Sequence, residues 1–104
     1  MDKQENMVKP RQKAYIAGKI EGDPDYRTKF IRAENYYCLC GSLIPLNPAK
    51  LPEGMTKAWY MRMCFAMIDE ADIVLFLPDW EQSQGARLEH MYAEYTGKKI
   101  IFVE

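Results

Sequence analysis

Apolar positions along this chain follow two alternating rhythms. Four short segments, Lys13 to Ala17, Ser42 to Leu46, Ile73 to Leu77 and Lys99 to Val103, are nearly continuous in apolar residues and read as buried strands. Between them, apolar residues recur every three or four positions, which is the period of a helix. Tyr26, Phe30, Ala33, Tyr37 and Cys40 form the first such series. Trp59, Met63, Ala66 and Met67 form the second, and Leu88, Met91, Tyr92 and Tyr95 the third. Each is predicted to turn its apolar residues inward. Asp23 or Asp25 can cap the first helix, with Pro24 suited to a first turn and Gly41 as its stop. Thr56 can cap a second helix over about 57–70. Ser83 can cap a third over about 84–95, which Gly97 ends.

The resulting order is βαβαβαβ. Strands with no polar alternation are buried on both faces, so the pattern predicts an α/β fold: a parallel sheet layered between helices. Right-handed crossovers leave few arrangements, of which strand order 2-1-3-4 is favoured. Pro45 cannot donate a ladder hydrogen bond and places the second strand at an edge. In such sheets ligands bind beyond the carboxyl ends of the strands, where the order reverses. The loops after Ala17 and Leu77 both fall there. Residues 1–12 are polar and without period, so they read as a flexible N-terminal tail, and residues 13–104 as a single domain.

Composition narrows the partners. The 104 residues are 48% hydrophobic and 28% charged, with a net charge of −1. That balance offers no basic field for a nucleic-acid polymer, although a free nucleotide needs only local donors. No apolar run approaches the about 18–20 residues of a membrane span, and Met1 to Met7 lack the apolar block of a signal peptide. Three cysteines, Cys38, Cys40 and Cys64, are an odd number and read as reduced thiols in a cytoplasmic protein. Cys38-x-Cys40 has no second cysteine pair, and His90 is the sole histidine. The two thiols therefore read as helix-face residues, and no metal site is expected.

The stretch Ser83-Gln84-Gly85-Ala86-Arg87-Leu88-Glu89 carries the strongest chemical signal. Ser83 caps a helix start, whose N–H groups attract anions. Gly85 and Ala86 are too small to obstruct a ligand there. Glu89, two turns in, is either an ordinary solvated glutamate or a nucleophile able to form an ester with an electrophilic carbon. Tyr15 is either core or a group that orients this carboxylate, and Gly18 supplies backbone freedom beside it. Trp80 can stack on a base or meet a neighbouring subunit. Asp79 is a general-acid candidate or a turn aspartate. Arg87 reads as solvated. Asp69, Glu70 and Asp72 lie at the far end of the third strand and read as capping or solvated residues. His90 points away from the side that Glu89 faces.

Several segments taken together resemble a compact phage and bacterial domain family of unknown function, itself similar to the nucleoside 2-deoxyribosyltransferase superfamily. They are Tyr15-Ile16-Ala17-Gly18, Asn47-Pro48-Ala49, Tyr60-Met61-Arg62, Ala71-Asp72 and Leu77-Pro78-Asp79-Trp80-Glu81-x-Ser83-x-Gly85-Ala86-x-x-Glu89. The resemblance spans nearly all of residues 13–104. It implies a flavodoxin-like three-layer sandwich and cleavage or exchange of the N-glycosidic bond of a deoxynucleoside or its 5′-monophosphate, without cofactor. It places Glu89 on the nucleophile, Tyr15 on the tyrosine beside it, and Ser83 on the serine that holds the 5′-phosphate. Gly18, Gly85, Ala86, Trp80 and Asn47 join Ser83 as expected substrate-binding residues, and Asp79 joins Glu89 and Tyr15 as a catalytic candidate.

Two departures stand out. Cys64 occupies the position of the superfamily's second acid, and Asp79 replaces a glycine common in the compact family. Longer relatives also have further chain beyond the fourth strand. The expected function is a deoxynucleotide N-glycosidase or deoxyribosyltransferase. The alternatives are a non-catalytic nucleotide-binding module and an oligomeric interaction protein. A small core with aromatics such as Tyr36, Tyr37, Trp59 and Trp80 fits a homo-oligomer.

Overall fold

A computed structural model describes residues 11–104; of the tail expected over residues 1–12, residues 1–10 lie outside them, and Gln12 already belongs to the first strand. The strands are β1 (Gln12–Ala17), β2 (Leu43–Leu46), β3 (Ile73–Phe76) and β4 (Lys99–Phe102). They form one sheet in the order β2-β1-β3-β4, all parallel. β1 and β3 are therefore the central pair, with Ala14 beside Ile73 and Ala17 beside Phe76. β2 lies at the edge, where the missing N–H of Pro45 costs no interior ladder bond. Asp72 fixes the start of the central register. Its carboxylate accepts the Lys13 N–H at 2.8 Å, and its own N–H donates to the Lys13 carbonyl at 2.8 Å.

Alternation along the strands divides the core in two. Ala14 and Ile16 of β1, with Ile73 and Leu75 of β3, face helix α1 (Tyr26–Tyr37), where they meet Phe30 and Ala33. Tyr15, Ala17, Val74 and Phe76 face helices α2 (Lys57–Glu70) and α3 (Gln84–Tyr95), where they meet Cys64, Ile68 and Ala93. This is the three-layer sandwich. Tyr15, Ile16, Phe30, Ile68 and Phe76 are fully shielded from solvent. Burial of an aliphatic or aromatic side chain of this kind is worth about 1.5–3 kcal/mol each.

The first helix turns in the predicted Phe30 and Ala33, with Tyr26 and Tyr37 packed beside them, whereas the faces of the other two differ in part from those predicted by hydrophobicity. α1 ends at Tyr37. A tight turn over Leu39–Gly41 follows, so the helix does not run on to Cys40, and Gly41 takes the left-handed φ of 71° that only glycine adopts easily. On α2 the buried residues are Cys64 and Ile68, whereas Ala66 is exposed. On α3 the inward residues are Ala86, Glu89 and Ala93; Leu88, Met91 and Tyr95 point outward. The cause is steric. The small residues Ala86 and Ala93 let α3 approach the sheet, and the contact between α2 and α3 is filled by the Phe65 and Tyr92 rings, stacked 4.3 Å apart. No helix among the described residues is long and apolar enough to cross a membrane.

Candidate active site

Beyond the carboxyl ends of β1 and β3 lies a hollow of about 610 Å³. Its floor is Gly18 at the end of β1. One wall is the start of α3, with Ser83, Gly85, Ala86 and Glu89. The opposite wall is the inner face of α2, with Tyr60, Met61 and Cys64. Segment 51–55 closes the side, and it is held there by Tyr60. The Tyr60 hydroxyl donates to the Pro52 carbonyl at 2.6 Å and accepts the Met55 N–H at 3.2 Å.

Helical spacing brings Gly85, Ala86, Glu89 and Ala93 onto one face of α3. Glu89 is 6% exposed, it lines the hollow, and no cation among the described residues pairs with its carboxylate. Burial raises its pKa from the ordinary 4.5 to about 7; Tyr15 and Cys64, the nearest polar groups, partly oppose the shift by favouring the anion. The Tyr15 hydroxyl is enclosed and has no partner within normal distance, although it stands near enough to Glu89 and Cys64 for all three to influence one another's protonation. Burial, reinforced by the Glu89 charge, holds the Tyr15 pKa well above its ordinary value. The same two causes push the Cys64 thiol up to about 12.

Ser83 caps α3, its Oγ accepting the Ala86 N–H at 3.1 Å. That bond engages Ala86. The N–H groups of Gln84 and Gly85 find no partner among the described residues, and the Ser83 hydroxyl proton remains available to a ligand. An added Cβ at Gly85 would come to 3.4 Å from the Met61 methyl, so glycine keeps this side of the hollow open. Gly18 has a different reason from the one expected. It is not among the glycines with positive φ; a Cβ there would come to 2.9 Å from the Leu77 side chain, so the requirement is space.

Three expected site residues lie elsewhere. The Trp80 ring does not line the hollow. It is half-buried in an aromatic cluster, 4.6 Å from His90, 5.3 Å from Phe76 and 5.6 Å from Phe102. His90 stacks on the Trp80 ring, and in this position the ring supports the core rather than the hollow. Asp79 is committed to a structural clamp. Its carboxylate accepts the Lys19 N–H at 3.1 Å and pairs with Lys29, whose ammonium also bonds Asp23 and the Lys19 carbonyl. The clamp joins the loop after β1 to the loop after β3, and it engages both oxygens of the Asp79 carboxylate. Asn47 accepts the Ala49 N–H at 2.9 Å and donates to Glu34 at 3.1 Å, shaping the turn after β2 outside the main hollow. Sequence reasoning passed over the wall built by segment 51–57 and α2. Its one signal was the Tyr60-Met61-Arg62 segment. Among the described residues no cluster of histidine, cysteine or carboxylate side chains is arranged to hold a metal ion.

The sequence matches the model of the domain of unknown function DUF4406 over residues 12–102, and the chain belongs to that family. No curated protein matches it. Among solved structures, a 2-deoxyribosyltransferase from Leishmania mexicana is similar, with a TM-score of 0.70 at 21% sequence identity. The alignment covers 89% of this chain and 63% of that one, so the chain spans less than two thirds of its structural neighbour. The likeness shows a shared α/β fold.

Proposed function

We propose that this member of the DUF4406 family is an N-glycosidase or deoxyribosyltransferase acting on deoxynucleoside 5′-monophosphates, with Glu89 as nucleophile. The observation that carries the reading is the placement of Glu89: a buried carboxylate, unpaired by any cation among the described residues, on the wall of a hollow whose mouth is a helix N-terminus. A carboxylate kept from water at such a cost is a functional-site signature. The Leishmania mexicana neighbour, a 2-deoxyribosyltransferase, supports the same chemistry on the same fold.

The Ser83 hydroxyl and the N–H groups of Gln84 and Gly85 take the 5′-phosphate, aided by the positive end of the α3 dipole. Glu89 attacks C1′ of the sugar as the base departs, and a glycosyl ester forms. Tyr15, facing the carboxylate, orients it and favours its ionised form. Water or a second base then displaces Glu89 and releases the sugar. Residues of one chain supply each of these roles. The outward strip of Leu88, Met91 and Tyr95 supports self-association as a further feature, to be measured by sedimentation.

The test is incubation with a panel of deoxynucleoside monophosphates, with free base followed by chromatography. Base release by wild type that falls at least about 1,000-fold in Glu89→Ala is expected, because the nucleophile defines the two-step route. A second reading is favoured by one observation: a thiol at position 64 where the superfamily has an acid. It keeps the hollow as a nucleotide-binding module, and saturable binding without base release establishes it instead.

A further inference from the structure

We propose that the outer face of α3 docks a second copy of this chain, so that two α3 helices pack antiparallel about a two-fold axis beside Met91. The pairing needs no nucleotide and stands apart from the chemistry of the hollow.

Three large apolar side chains on α3 lack cover. Leu88 is 45% exposed, Met91 65% and Tyr95 91%. At about 100° per residue they fall within about 60° of one another around the helix. The buried Ala86, Glu89 and Ala93 lie on the opposite side. The strip therefore points away from the sheet, and an exposed apolar strip of this kind marks an interaction surface.

The charges beside the strip say what covers it. Arg87 and Glu94 are both exposed and share one flank of the helix, about 20° apart. They are also about 10 Å apart along the axis, too far to pair within one helix. Neither forms an ion pair among the described residues. Arg87 donates one N–H to the Glu81 carbonyl at 2.7 Å, which leaves its charge unmatched. Each charge also sits at the less favourable end of its own helix dipole. Arg87 lies about one turn from the N-terminus of α3, where a cation is disfavoured, and Glu94 lies in the last turn, where an anion is disfavoured.

An antiparallel copy corrects both faults at once. A two-fold axis level with the midpoint between positions 87 and 94 passes beside Met91, which is also the middle of the apolar strip. Arg87 then stands level with the partner's Glu94, and Glu94 with the partner's Arg87. Each charge meets the end of the partner's dipole that favours it. Met91 meets the partner's Met91, and Tyr95 falls beside the partner's Leu88. A parallel pair would instead set Arg87 on Arg87 and Glu94 on Glu94. Apolar seam and charges thus agree on one self-complementary register, as a two-fold interface requires.

The experiment measures association of the full chain by sedimentation equilibrium. Wild type is expected to dimerise. Arg87→Glu and Glu94→Arg each bring like charges together twice per dimer, and each is expected to weaken association about tenfold or more. The double variant restores opposite pairs and is expected to return to within about threefold of wild type, which misfolding could not produce. Cross-linking with diamide reads the orientation, with wild type as background. Met91→Cys, beside the axis, is expected to give a disulfide-linked dimer, and Gln84→Cys, about two turns away on the same face, is not. Links at both positions mean a parallel pair and overturn the inference. A dimer indifferent to both single reversals pairs through another face, such as the open edge of β4, and overturns it as well. A monomer at every concentration does the same and leaves the strip to a different partner. None of these outcomes touches the glycosidase reading.

Discussion

Glu89→Gln separates a buried, unpaired carboxylate from a solvated one through stability alone, with no ligand required. In the folded chain the Glu89 pKa is raised from 4.5 to about 7; in the unfolded chain it returns to its ordinary value. Between those two pH values the folded state keeps a proton that the unfolded state has lost, so stability falls as pH rises. It is greatest below about 4.5 and levels off once pH passes about 7. A displacement of this size corresponds to about 3 kcal/mol, a large fraction of the stability of a small domain. The amide that replaces the carboxylate has nearly the same shape and no charge at any of these pH values. The variant and the wild type should therefore be similarly stable near pH 4.5, and the variant more stable by about 3 kcal/mol at pH 8. Other groups cancel in the difference. Asp23, for example, is held below its ordinary range by Lys29, and it is present in both proteins. Urea unfolding followed by fluorescence at a series of pH values measures the gap. With a slope of about 1–3 kcal/mol per molar urea, the midpoints at pH 8 should differ by at least about 1 M. A gap that stays constant from pH 5 to 8 refutes the reasoning, since it means the carboxylate is hydrated or paired and the hollow is not as described.

Three other substitutions probe the remaining parts of the site. Tyr15→Phe removes an enclosed hydroxyl without a partner and should stabilise the fold by up to about 1–2 kcal/mol in urea unfolding. It also deletes a group that favours the Glu89 anion, so the pH-dependent loss of stability should move to higher pH. Ser83→Ala should cost about 1 kcal/mol through loss of the α3 cap. By calorimetry it should weaken a deoxynucleoside monophosphate and leave the corresponding nucleoside little changed. Gly18→Ala should destabilise by about 1–3 kcal/mol, because its methyl meets Leu77 in a filled core, and thermal unfolding will show a lower midpoint.

The topology was legible because strand burial on both faces erases polar alternation, and because three helical series separated the strands. Pro45 alone placed β2 at the edge. The face of α1 was legible by hydrophobicity through Phe30 and Ala33, but that of α3 was not, and its residues show why. Leu88, Met91 and Tyr95 lie outside, two alanines and a glutamate lie inside, and of the large apolar residues Tyr92 alone packs half-buried against the core. Apolar period reports that a helix has a face, but the face that approaches a sheet most closely is chosen by size as much as by hydropathy. Along α3 the two part at Leu88, Met91 and Tyr95 and agree at Tyr92, whose ring stacks on Phe65.

The same principle divides the site. Glu89, Ser83, Gly85 and Gly18 were readable because each sits at a fixed distance in sequence from a strand end, so local geometry delivers it to the crevice. Segment 51–55 reaches the hollow only through the Tyr60 hydroxyl and its two bonds to Pro52 and Met55, a tertiary contact with no local signature. Trp80 and Asp79 leave the right strand end yet turn elsewhere, one into His90 and Phe102, the other onto Lys29, because partners from distant segments offer more burial or charge than the open mouth does. Position at a crevice therefore nominates a residue, and the absence of a better partner retains it. Glu89, with no cation to pair it, and Tyr15, with no hydrogen-bond partner, meet that second condition within the described residues, which is why the proposed chemistry rests on them.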